Sequence, residues 1–273
     1  MNNYIILAGN GFLPINVIKV LKEEKKNFYI LIISEKGWDK QIQNYSHKII
    51  NLGSIITELL LLKKIGFNNI VFAGSIKRPN ISGIKPDIKS LKILPKLIKI
   101  FLKGGDNFLL KFVISELEKM KFKVHSIKSI APNLFLSEGN FTKSKPNKIN
   151  IYDIDRGKKI LNTLSKFDIG QSIIVQQGTV IGIESIEGTD ELIKRCNKFF
   201  KEEGDKAVLV KLFKKNQEFK ADLPTLGMRT FSICKKYKIG GIVFSANKTL
   251  FIEHKKIIEK MNINKMFLFG INA

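Results

Sequence analysis

Residues 4–14 read YIILAGNGFLP. An apolar run, 4–8, enters a turn carrying Gly9 and Gly11, and the chain resumes at Leu13 and Pro14 with apolar residues spaced by three and four. That order predicts a buried strand, a tight turn and a helix over 13–26. The alternation continues outward. Strands are expected at 28–34, 69–73 and 123–127, and helices at 55–65, 90–102 and 107–120. Apolar strands separated by helices imply a parallel sheet covered on both faces.

After residue 132 the pattern breaks. Residues 137–150, SEGNFTKSKPNKIN, are polar and contain Gly139 and Pro146. We therefore expect an N-terminal domain over 1–132, a linker over 133–150 and a second domain over 151–273. In that domain, helices are expected at 153–164, 190–201, 230–238 and 257–261, with Thr189 capping the second. Strands are expected at 172–176, 179–184, 207–213, 241–245, 249–252 and 266–269, the first two joined by a tight Gln177-Gly178 turn. The fold class is α/β: a parallel-sheet N-terminal domain followed by a distinct, mixed α+β C-terminal domain.

The 273 residues carry 47 Lys and Arg against 24 Asp and Glu, a net charge of +23. Such a balance raises the question of nucleic acid or an anionic surface. The lysines are spread along the chain rather than gathered in a stripe, so a nucleic-acid surface is not expected. Only Arg78, Arg156, Arg195 and Arg229 are arginine. In a chain that otherwise uses lysine, each is a candidate for a role that needs a planar fork of donors. Two cysteines make no disulfide framework, no apolar run reaches the eighteen residues of a membrane span, and the N-terminus lacks a basic start. A cytoplasmic location is expected.

Five motifs carry candidate chemistry. The first turn, residues 8–14, suits phosphate at a helix N-terminus, but Pro14 replaces the third glycine of G-x-G-x-x-G. Residues 73–79, AGSIKRP, follow the third strand and offer Lys77 and Arg78 to an anion. Residues 103–110, KGGDNFLL, read equally as a helix end and a cap, with Asp106 the capping residue. Residues 183–195, IESIEGTDELIKR, gather Glu184, Glu187 and Asp190 at a strand–helix junction, by themselves ordinary partners of a helix dipole. Residues 221–230, ADLPTLGMRT, place Asp222 in a loop held by Pro224 and Gly227, a candidate for metal or base work. Lys211, one strand earlier, could face the same site. No zinc spacing, paired cysteine, G-x-S-x-G or Walker lysine is present.

Taken in order, these motifs resemble one family, the UDP-2,3-diacylglucosamine pyrophosphatases of the LpxI type. The match also runs through DIDRG at 153–157, FDIGQSIIVQQGTVIGIESIEGTDELIKR at 167–195, VLVKLF at 208–213 and GGIVFSANKTLFI at 240–252. The resemblance implies a Rossmann-like N-terminal domain and a catalytic C-terminal domain, with the lipid substrate between them. It implies hydrolysis to UMP and 2,3-diacylglucosamine 1-phosphate in lipid A biosynthesis, Mg²⁺ or another divalent cation, and a homodimer. Asp222 looks like the family's catalytic carboxylate. As metal ligands, Asp222, Glu187 and Asp190 are expected. Substrate binding is expected at Gly11, Phe12, Leu13, Ser75, Lys77, Arg78, Asp106, Gln177, Thr189, Lys211 and Thr225. The alternative is a nicotinamide-dependent oxidoreductase resting on the first turn, with Glu35 on the ribose; Pro14 counts against it.

Residues 92–105, KILPKLIKIFLKGG, place Leu94, Leu97, Ile98, Phe101 and Leu102 at helical spacing, with lysines on other faces. Such a helix either packs on the sheet or lies at an anionic lipid surface, where a soluble enzyme would meet acyl chains. Peripheral contact with the inner membrane is therefore expected.

Overall fold

The computed structural model describes residues 2–33, 37–76, 86–92, 94–103 and 106–273. The chain divides into two compact units. Unit 1 comprises Met1–Pro132 and Glu218–Asp222, and unit 2 comprises Asn133–Gln217 and Leu223–Ala273.

Unit 1 is built on five strands, β1 (Asn3–Ala8), β2 (Asn27–Ile32), β3 (His47–Ile49), β4 (Phe67–Ala73) and β5 (Lys123–His125). They are all parallel and ordered β3-β2-β1-β4-β5. Its helices are α1 (Leu13–Glu23), α2 (Ile55–Lys64), α3 (Leu94–Lys103), α4 (Asp106–Lys119) and the short α5 (Ile127–Ile130). Alternation along β1 divides the sheet's faces. Ile5 and Leu7 join Leu59 and Leu62 of α2 and Ile114 and Leu117 of α4 in one core, and α1 and α5 pack together over the other face. The strand order reverses between β1 and β4, which makes their carboxyl ends the switch point where such sheets bind ligands. β3, too short and too polar to read as a strand, is an edge strand that the sequence pattern missed.

Unit 2 contains α6 (Lys148–Leu164), α7 (Thr189–Cys196), α8 (Met228–Lys236) and α9 (His254–Ile263). Its strands are β6 (Gly139–Asn140), β7 (Ser172–Gln176), β8 (Thr179–Ile183), β9 (Val208–Lys211), β10 (Thr225–Leu226), β11 (Gly241–Ser245), β12 (Leu250–Phe251) and β13 (Phe267–Ile271). The main sheet runs β6-β13-β11-β9-β7-β8. Its centre, β9, β11 and β13, is parallel, and β6, β7 and β8 are antiparallel additions. Val208 and Val210 face α6, whereas Leu209 faces the side covered by α7, α8 and α9. This is the mixed domain expected.

Several expectations need correction. Residues 133–150 are not a linker: Asn140 pairs with Phe269, and Thr142 Oγ1 accepts from Leu268 N at 2.9 Å. α6 starts five residues earlier than its apolar spacing suggests, because Asn147 and Asn150 form a reciprocal capping box. Gly188, not Thr189, is the N-cap of α7, and its φ of +83° explains why a glycine stands there. The run at 249–252 contributes β12 to a separate parallel pair with β10. The Gln177-Gly178 turn is as expected, with φ of +47° and +75° suiting a type I′ hairpin. Asp153, fully buried on α6, accepts from both turn amides, Gln177 N at 2.9 Å and Gly178 N at 2.6 Å.

Candidate functional site

In unit 1 the loops leaving β1 and β4 are locked backbone to backbone. Gly9 N donates to Ala73 O, Asn10 N to Ser75 O at 2.7 Å, and Ser75 N to Asn10 O at 3.0 Å. A Cβ on Gly9 would lie 2.4 Å from Ser75 O, and one on Gly74 2.6 Å from Asn10 O. Gly11 differs: its φ is +92°, but a Cβ there would meet nothing. Gly11 also bridges to Trp38, the chain's single tryptophan. Phe12, the N-cap of α1, offers no side-chain cap and is 68% exposed. The first turn of α1 thus presents backbone amides at an open rim, although Pro14 supplies none. Leu13 is buried, so it contributes through its backbone. Lys77, Arg78 and Glu35 lie outside the described residues, as does the side chain of Asp106.

In unit 2 a buried polar chain crosses from β9 to α7. Lys211 ends β9 on the same face as Leu209, only 6% exposed. Its ammonium donates to Thr189 Oγ1 at 2.8 Å. That hydroxyl donates to Glu184 Oε2 at 3.1 Å and lies 3.0 Å from Ser172 Oγ. Cys234, on α8, shares this environment. Burial pushes its thiol well up, Asp190 pushes it further, and Lys211 opposes, so it stays a protonated core residue.

Glu187 and Asp190 both serve arginines. Glu187 Oε1 pairs with Arg195 at 2.8 Å, and its Oε2 accepts from Ser185 N. Its own backbone amide and then Arg195, against some desolvation, hold Glu187 below the usual carboxylate range. Asp190 Oδ1 accepts from Thr230 Oγ1 at 2.9 Å, and Oδ2 pairs with Arg229 Nε at 2.9 Å. The N-termini of α7 and α8 are pinned together by this aspartate. These engaged oxygens do not suit Glu187 and Asp190 as metal ligands, and among the described residues no three His, Cys, Asp or Glu side chains converge.

The remaining candidates are placed separately. Asp222 counts with unit 1, and its amide donates to Glu218 O at 2.8 Å. Thr225 lies on β10 in unit 2 and donates to Leu223 O at 3.2 Å. Gln177 donates its side-chain amide to Glu203 O at 2.9 Å, which ties the hairpin turn to the following loop. Sequence reasoning passed over Ser172 and took Glu184 for a helix-dipole partner. A lysine ending the otherwise apolar strand VLVK was the available signal, since a buried ammonium requires partners.

Two family models match, the LpxI N-terminal domain over residues 3–134 and the LpxI C-terminal domain over residues 137–269. The chain is also 28% identical over 272 residues to the UDP-2,3-diacylglucosamine pyrophosphatase LpxI of Caulobacter vibrioides, covering 98% of this chain and 96% of that protein.

Proposed function

This chain belongs to the LpxI family, and from that premise we propose how its residues share the hydrolysis of UDP-2,3-diacylglucosamine. The observation that carries the assignment is the match of both family domains, which between them span nearly the whole chain. The reaction is hydrolysis of a diphosphate, and nothing supports the oxidoreductase alternative.

The substrate presents two charged phosphates, a nucleoside and two acyl chains. The open turn at Gly11–Leu13 suits a phosphate or the nucleoside, because its amides point along the helix axis at the sheet's switch point. Lys211 supplies buried positive charge to the diphosphate, where low dielectric makes it count for more than at the surface. Asp222 is the carboxylate that acts at the reacting phosphate. A divalent cation, when bound, would neutralise phosphate charge, and Mg²⁺ often needs only one or two carboxylates beside substrate oxygens. Asp222 fits that role, whereas Glu187 and Asp190 hold arginines.

UMP formation by the purified chain, measured with and without Mg²⁺, tests this reading. Asp222→Ala should abolish turnover while the melting temperature holds. Normal turnover by that variant removes Asp222 from the mechanism. A homodimer and a cytoplasmic position at the inner membrane complete the proposal. Family resemblance supports the dimer, and light scattering decides it. No helix among the described residues is long and apolar enough to cross a membrane. Peripheral contact is supported by α3, where Pro95, Lys96 and Lys99 are exposed, and by exposed Ile88, Leu91 and Phe108 in the same unit.

A further inference from the structure

The proton inventory of the buried chain in unit 2 assigns two residues a task. A threonine hydroxyl has one proton to give and two lone pairs. Thr189 Oγ1 has three neighbours: Glu184 Oε2, Lys211 Nζ and Ser172 Oγ. An ionised carboxylate only accepts and an ammonium only donates, so the Thr189 proton goes to Glu184 and one lone pair takes Lys211. The second lone pair takes the Ser172 hydroxyl proton. With all three positions filled, the Thr189 hydroxyl has nothing left for a substrate.

We propose that Glu184 and Thr189 are positioning residues that orient the Lys211 ammonium toward the substrate's diphosphate; this rests on the reading of Lys211 as the phosphate-holding cation. Glu184 fixes which way the Thr189 hydroxyl points, and that hydroxyl in turn fixes one N–H of Lys211. The surrounding backbone is built to hold Glu184. Glu184 N donates to Ser172 O at 2.8 Å, and a Cβ on Gly170 would lie 2.1 Å from Glu184 O. Lys211 and Ser172 are cross-strand partners on β9 and β7, so strand register brings the chain's ends together. Glu184 and Thr189 are themselves buried, which keeps water from replacing either link.

The test uses the full chain, four near-isosteric single variants and one double variant, with kcat, KM and melting temperature measured on UDP-2,3-diacylglucosamine. Thr189→Val and Glu184→Gln should each lower kcat about a hundredfold, as misplacing one catalytic group does, with KM little changed. Thr189→Ser should restore the wild-type rate. In a Lys211→Met background, adding Thr189→Val should cost nothing further, because Thr189 acts through Lys211. Wild-type kcat in both Thr189→Val and Glu184→Gln overturns the proposal, and so does a further multiplicative loss in the double variant. If Thr189→Val does not fold, Glu184→Gln and Thr189→Ser decide on the same criteria. Normal turnover by Lys211→Met would instead remove Lys211 from the site, and the positioning role with it.

Discussion

Gly9 and Gly11 stand two residues apart in one turn and answer to different constraints. At Gly9 a side chain would strike Ser75 O, part of a backbone that is itself hydrogen-bonded to Asn10. At Gly11 there is room for a side chain, and only the φ of +92° opposes it. Gly9→Ala should therefore force the β1 and β4 loops apart at about 1–3 kcal/mol, the range for overpacking. Gly11→Ala should cost about 1–2 kcal/mol, the left-handed penalty alone. Its larger effect should be on KM, since its methyl projects into the open rim. Urea midpoints and Michaelis constants for the two variants check this, and a KM increase confined to Gly9→Ala would contradict it.

At the scale of elements, β5 and α3 each make a prediction. His125 Nε2 on β5 donates to Asn69 Oδ1, 2.9 Å away, and the ring lies tilted against Tyr4. Burial first, then Lys123 and Lys220, holds it below its usual 6.5. A depressed histidine contributes stability above the unfolded value, and that contribution is lost as pH falls through the folded value. Unit 1 should therefore lose stability as pH falls below about 6.5, and His125→Gln should flatten that loss. Melting curves against pH read the difference; parallel curves would show another group at work. For α3, Leu97→Glu should weaken binding to anionic vesicles while the fold survives, as measured by sedimentation with vesicles. Unchanged vesicle binding would leave the helix a core element. In unit 1, β1, β2 and β4 were legible in sequence because each carries a continuous apolar run ending at a glycine or a polar turn, whereas the short, polar β3 was not. In unit 2, β6 and β10 were not legible, because a two-residue strand has no period to read, whereas β12 was found within the apolar run at 249–252. Asp222 and Lys211 stood out as charges without a local explanation. The Ser172–Thr189–Glu184 chain did not, because its members are polar neighbours only after β7, β9 and α7 come together.

Across the whole molecule, the net charge of +23 and the spread of lysines favour weak, salt-sensitive attraction to anionic surfaces rather than one docking stripe. The family domains meet between residues 134 and 137, as if the chain were two successive cassettes. The compact units divide it differently, since Glu218–Asp222 belongs with the N-terminal unit. Lys220 pairs there with Glu118 at 2.5 Å, and Ala221 packs against the core of α2 and α4. Recombination between relatives at residue 132 would thus part a fold from five of its own residues. A chimera that exchanges only 1–132 should melt below one that also carries the donor's 218–222, and equal melting temperatures would deny the dependence. Such a chain inherits its two halves together: a crossover at the visible seam leaves each hybrid with a mismatched insert, and lineages of this fold should travel whole rather than as interchangeable parts.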